Sequence, residues 1–279
     1  MLARAKRSID YRDLLYNLVV RDLKVRYKHS VLGFFWSLLN PVLLMLVFTF
    51  VFQQLLGSEN NPTHPMYHVF FLVALLPWNW CASAVTGTLG SIVNSGYLIK
   101  KVYFPREMLP VAVVLANMIN FLLALPALVL FMIILRPEGS GSPFGSDCQY
   151  ACFNAHLLWV PLLILTQTIF LTGLGFFISA LNVFFRDTSV LVEVGLSAWF
   201  FLTPIIYDAR DVAHDLANLM YYLNPMASLV ANFREVFYYN DAASPDLFFM
   251  LRNLIVCTVL LIGGYLFFMR LSHSFGEEI

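Results

Sequence analysis

Charge is what this chain has least of. Asp, Glu, Lys and Arg make up 12% of its 279 residues, and hydrophobic side chains make up 59%. A soluble domain averages about 25% charged residues. So few charges do not cover the surface of a water-soluble fold of this size, and a lipid bilayer must serve as part of its solvent. Cysteine is also scarce, with four residues. Cys81 and Cys257 fall in apolar runs, where a small buried hydrophobe is expected. Cys148 and Cys152 share the loop SDCQYACFN. Their spacing fits either a disulfide in an oxidising compartment or two free thiols.

Catalytic motifs are missing as well. There is no GxxxxGK[ST] phosphate loop, so the chain binds no ATP by that device. Neither HExxH nor GxSxG occurs. The six histidines are scattered. Asp211, His214 and Asp215 fall at helical spacing on the outer side, but a solvated helix face accounts for them, and no metal site is expected. No short repeat is present, and PEGSGSPFGS is the one low-complexity patch. The first 30 residues are charged and lack the compact apolar core of a signal peptide.

Long apolar runs are there instead. A helical span needs about 20 mostly apolar residues. Six segments qualify: 31–56, 67–92, 109–135, 157–183, 189–206 and 247–270. Pro77 and Asn79 in LLPWNWCASA are expected to kink or break the second, and TPIIYDARD to end the fifth early. With six spans, 13 of the 17 Lys and Arg fall on the side of the termini. That bias makes the side cytoplasmic. The expected fold is thus an all-α, six-span membrane protein.

Ionisable groups are nearly absent from the runs, which argues against an ion-coupled carrier. Two matching halves are absent too. Glu193 is the exception, read as a structural partner of a nearby cation or helix end. The runs carry amides, hydroxyls and indoles: Asn40, Thr49, Trp78, Asn79, Trp80, Asn117, Asn120, Thr166, Gln167, Thr168, Thr172, Ser179 and Asn182. Such groups suit a neutral, hydroxyl-rich solute. For any one of them, interhelical hydrogen bonding or an aromatic belt is the plainer reading.

Three flanking segments have patterns of their own. In residues 1–30, Tyr11, Leu14, Leu15, Leu18 and Val19 recur at helical spacing, predicting an amphipathic helix in the inner interface. The inner loop NSGYLIKKVYFPREMLP, with exposed Tyr97, Tyr103 and Phe104 expected, reads as a docking element, as a short helix, or as interfacial anchoring. The second inner loop, NVFFRDTS with Arg186, is a plain turn or a second docking point. On the outer side, stretches 209–222 and 226–239 flank Asn224-Pro225 and read as two short helices. Tyr207, Tyr221, Tyr222, Tyr238 and Tyr239 would line or anchor an exit there.

The order RDLKVRYKHSVLGFFWSLLNP, six spans, KKVYFPRE, FFRDT and TPIIY…NPM resembles the membrane permease of type-2 ATP-binding-cassette exporters. More narrowly it is similar to bacterial exporters of O-antigen, capsule or teichoic acid. The resemblance covers nearly the whole chain. It implies a homodimer in the inner membrane, with two copies of a separate ATPase chain that holds ATP and Mg. It implies a coupling element over 94–108, with Tyr97, Lys100, Lys101, Val102, Tyr103, Phe104, Arg106 and Glu107, joined by Arg186. It implies an outer gate over 207–241 and a glycan on a polyprenyl-diphosphate carrier. Clustered Arg21, Lys24, Arg26 and Lys28 would attract that diphosphate. Phe35, Trp36, Asn40, Trp78, Trp80, Asn117 and Asn120 are the expected channel lining, within a transmembrane domain of residues 31–279. The same architecture exporting a drug or lipid is the alternative, and a membrane-embedded transferase is a more distant one.

Overall fold

The computed structural model describes residues 11–28, 33, 35–51, 66–101, 104–134, 150–151, 153, 155–239 and 247–278. Val102, Tyr103, Cys148 and Cys152 lie outside them. The described chain is helical, apart from one isolated bridge between Tyr150 and Tyr239. Four helices are long and apolar enough to cross a membrane: α3 (Tyr67–Leu89), α5 (Met108–Ile134), α6 (Val160–Phe184) and α10 (Leu247–Leu271). Two shorter apolar helices accompany them, α2 (Phe35–Thr49) and α7 (Thr188–Leu202). Each has 15 residues, or about 22 Å at 1.5 Å per residue. Around these pack α1 (Arg12–Tyr27), α4 (Gly96–Lys101), α8 (His214–Leu223), α9 (Pro225–Phe237) and α11 (Phe275–Glu278).

The centre of the bundle is α3. Every residue from Val69 to Trp78 is buried, because α2, α5, α6, α7 and α9 all pack against this helix. Pro77 does not break it, and the helix runs on to Leu89. Gln167 of α6 donates to the Pro77 carbonyl at 2.8 Å, which fixes α6 to α3 at this level. Asn182 likewise donates to the Leu89 carbonyl at 2.9 Å, near the end of α3.

Two apolar runs end where local chemistry stops them. Thr203 precedes Pro204 and takes an extended conformation, φ −99° and ψ 131°, as a residue before proline tends to. The fifth run therefore closes at Leu202, four residues before its expected end. Farther on, Asn224 caps α9: its side-chain oxygen accepts from the Met226 and Ala227 amides, and Pro225 fills the first turn.

The N-terminal helix α1 packs along α5. Leu18 and Val19 are buried there, with Ile92, Phe104, Met108, Phe176, Phe268 and Phe275 in the same cluster. Tyr11, Leu14 and Leu15 lie half-buried around them. The apolar face predicted by spacing is thus laid against protein. Phe104, expected to be exposed, belongs to this core at 7% exposure.

Candidate functional site

A cavity of about 310 Å³ opens between α2, α3 and α5. Its lining includes Trp36 and Asn40 from α2, Asn79, Trp80 and Ser83 from α3, and Asn117, Asn120 and Phe121 from α5, with Arg26 of α1. Five residues expected to line a channel are therefore brought together: Trp36, Asn40, Trp80, Asn117 and Asn120. Arg26 joins them from the predicted cation cluster. Asn79, expected to bend its helix and counted among the polar groups of the runs but not in the channel lining, is also in the wall, as are Ser83 and Phe121. Helical spacing was the available signal for these three: Asn79 and Ser83 are four apart, and Phe121 is four beyond Asn117.

Two of the expected lining residues are elsewhere. Phe35 lies at the start of α2, 66% exposed, outside the cavity. Trp78 is buried and meets Trp199 edge-on at 5.8 Å and Phe200 at 5.7 Å. It ties α3 to α7.

The wall is held by aromatic and amide contacts. Trp80 stacks on Phe121, with ring centroids 5.1 Å apart. Phe121 in turn meets Phe233 of α9 edge-on at 5.8 Å, so the wall continues into the outer helices. Asn117 donates to the Val113 carbonyl at 2.8 Å. Its Oδ1, together with Asn79 Nδ2 and Trp80 Nε1, is buried without a partner among the described residues.

The other three clustered cations separate from Arg26. Arg21, Lys24 and Lys28 line an open groove on α1 with Asn17. Spacings of three and four place them on one face, and Arg26 falls nearly opposite Lys24. Arg21 is also paired with Asp22 at 3.1 Å.

At the end of the molecule where α1 meets α5, Tyr97, Lys100 and Lys101 of α4 are exposed. The Lys101 ammonium sits over the Tyr97 ring, 4.2 Å from its centroid, and donates to its hydroxyl. Arg106 donates to the Ser272 carbonyl, just before α11. α11 touches both α4 and α6, and its Phe275 lies 6.1 Å from Phe184. Exposed Arg186 follows in the turn after α6. Glu107 is half-buried at the start of α5.

The outer helices close over a polar cluster that sequence reasoning missed. Arg234 is 2% exposed. It donates to the Ile205 carbonyl at 2.7 Å and the Tyr207 carbonyl at 3.1 Å, and its guanidinium lies 3.6 Å from the Phe70 ring centroid. Burial pulls its pKa down to about 10, against the opposing field of Asp208, so it stays charged at neutral pH. Tyr239 donates to Asp208, and Arg210 pairs with Glu235. Burial first, then the Asp208 contact, pushes the Tyr239 hydroxyl pKa up. Tyr238 is fully buried against Phe70 at 5.4 Å. Tyr222, by contrast, is 58% exposed beneath the Arg252 guanidinium. The Tyr221 carbonyl accepts from Arg252 at 2.5 Å. Asp211 ends a short 3-10 turn and His214 begins α8, so Asp211, His214 and Asp215 do not share one continuous helix.

Glu193 lies exposed on α7. No ion pair holds it among the described residues.

The model of the ABC-2 type transporter family matches residues 13–238, from α1 through the end of α9. The chain belongs to the ABC-2 type transporter family. Among its curated relatives is the O-antigen export system permease protein RfbA of Myxococcus xanthus, 35% identical over 280 residues and covering 100% of both chains. Another is the O-antigen export system permease protein RfbA of Klebsiella pneumoniae, 32% identical over 281 residues, or 99% of each chain. This ABC-2 permease is thus a transport component, with the apolar helices of a multi-pass membrane protein.

Proposed function

We propose that this permease is the membrane subunit of an ATP-driven exporter. It moves polyprenyl-diphosphate-linked polysaccharide, of O-antigen, capsule or teichoic-acid type, across the bacterial inner membrane. The observation that carries this reading is the end-to-end match, 35% identical over the whole of both chains, to an O-antigen export permease. The cavity supports it: amides and indoles suit a hydroxyl-rich solute, whereas a drug or lipid wants an apolar wall.

In this reading six segments cross the bilayer, and both termini are cytoplasmic. Residues 1–30 form the interfacial helix and residues 31–279 the transmembrane domain. Two copies meet, and a channel between them passes the glycan. Trp36, Asn40, Trp80, Asn117 and Asn120 shape its walls from each protomer. Two copies of a separate ATPase chain, holding ATP and Mg, dock on the segment 94–108 and on Arg186. Tyr97, Lys100 and Lys101 face that partner, while Phe104 anchors the segment from within. Arg21, Lys24 and Lys28 draw the carrier diphosphate to the inner interface. Tyr207, Tyr221, Tyr222, Tyr238 and Tyr239 belong to the outer gate.

Closure of the ATPases moves α4 and α1, and through them α5. Many weak stacking contacts let a polymer slide where one tight site would stall it. The test is co-purification with the partner ATPase. The wild type should yield a complex of two permeases and two ATPases, and a Lys100→Glu/Lys101→Glu variant should lose it. If no ATPase associates with the wild type, the reading fails.

A further inference from the structure

Asn79 Nδ2, Trp80 Nε1 and Asn117 Oδ1 are withdrawn from water with no hydrogen-bond partner among the described residues. Folded proteins leave few such groups, and a cluster of them calls for a partner. These three belong to residues around one cavity, two of which, Trp80 and Asn117, are each 2% exposed. The cavity volume of 310 Å³ is at the low end of small-molecule sites, which run from about 300 to 1,000 Å³. That volume suits a sugar ring with its phosphate.

The chemistry of the wall narrows the ligand. An amide offers a donor and an acceptor side by side, which matches neighbouring hydroxyls. Trp80 has one face occupied by Phe121, whereas Trp36 is 46% exposed and offers a ring face. No acidic side chain is in the lining, and one cation, Arg26, is. Arg26 is exposed, and no ion pair engages it among the described residues. A guanidinium matches phosphate oxygens in charge and fork geometry. A hydroxyl-bearing ring next to a phosphate satisfies all of these groups at once.

We infer that this cavity binds a glycosyl phosphate inside each protomer, the sugar ring against Trp36, Trp80 and Asn117 and the phosphate at Arg26. The inference rests on the polysaccharide-export reading, in which the glycosyl phosphate is the sugar at the carrier end of the polymer. A free sugar phosphate carries the same chemistry.

The test uses the full chain in lipid nanodiscs, followed by tryptophan fluorescence, since Trp36 and Trp80 line the site. Probes are farnesyl-diphosphoryl derivatives of glucose, galactose and N-acetylglucosamine, then farnesyl diphosphate alone, the three sugar 1-phosphates, and methyl glucoside. At least one sugar-bearing phosphate should bind more tightly than both farnesyl diphosphate and methyl glucoside. Asn117→Leu should weaken it about tenfold, the loss expected when a buried hydrogen bond is removed. The thermal midpoint of that variant should hold or rise, since an unpartnered oxygen is removed. Trp80→Phe keeps the stack on Phe121, loses the N–H and should weaken binding too. Arg26→Gln should erase the preference for phosphate. Tighter binding of the prenyl-linked probes assigns the lipid carrier as source, and equal binding assigns a free sugar phosphate; both uphold the site. Equal affinity of wild type and Asn117→Leu for every probe overturns it. Cells expressing the wild-type chain with its ATPase are scored separately for surface polysaccharide. Export without an Asn117 effect overturns this site alone, and absence of export overturns the parent reading.

Discussion

The guanidinium of Arg234 donates to two carbonyls, Ile205 and Tyr207, in a segment with no helix to satisfy them. Each buried acceptor left unmatched costs roughly 1–3 kcal/mol. Arg234→Met therefore should destabilise the fold by about 2–4 kcal/mol, read as a lower thermal midpoint of the purified chain in detergent. Arg234→Lys keeps the charge but not the fork, so it should fall between the two. An unchanged midpoint in the methionine variant would remove Arg234 as the pin of this segment. None of this was legible in sequence, where Arg234 is one isolated cation. Its partners are backbone atoms 29 and 27 positions away, and backbone acceptors leave no trace in composition. Phe104 misled for the opposite reason. A lone aromatic in a basic loop looks exposed until α1 is seen packed beside it.

Helix α6 meets α10 without side chains between them at one level. A Cβ added to Gly264 would stand 2.2 Å from the Gly173 carbonyl oxygen, and one added to Gly173 would stand 2.7 Å from the Leu261 backbone. Within a bilayer there is little hydrophobic drive between helices, and close backbone approach at small residues replaces it. Gly264→Ala should then force the pair apart and cost about 3 kcal/mol, the upper end of overpacking. Gly263→Ala is the control. Nothing lies within 4 Å of its added Cβ, so it should be neutral or stabilising by about 0.5–1 kcal/mol. Thermal midpoints of the two variants check this, and an equal gain in both would mean that helix propensity, not contact, governs the site. The apolar run and a glycine pair were visible beforehand, but not which glycine faces a neighbour. Helix placement was largely legible, because an apolar run constrained by bilayer thickness admits few solutions. Thr203-Pro204 and Asn224-Pro225 punctuate it where the structure does.

At the scale of the molecule, one face is still uncovered. Val190, Leu191, Val194, Phe201 and Leu202 of α7 are all more than 60% exposed, and Glu193 is exposed on the same helix. An apolar face alone is what lipid requires. A carboxylate on a helix of this kind is not, since ionisable groups within spans are expensive and turn toward protein or water. The channel-lining set was read in the sequence as residue types. It was not legible that five of its members would gather inside one chain, because α2, α3 and α5 meet only in three dimensions. α10 is exposed as well, but among the described apolar helices α7 is the one that carries a carboxylate, so α7 is the face offered to a second copy. In a two-fold pairing the same patch serves both sides, so a residue close to the axis meets its own counterpart. Single cysteines at Val190, Val194 and Phe201, placed in a background without the four native ones, should therefore form disulfide-linked dimers in membranes. Cysteine at Leu266 on α10, 47% exposed, is the comparison and should stay monomeric. Glu193→Leu should reduce export while leaving the chain folded, because it removes the one carboxylate on the face that α7 offers a second copy. Cross-links at Leu266 and none on α7 would move the interface to α10 and leave Glu193 facing a different solvent, and the channel would then have to be sought along that helix.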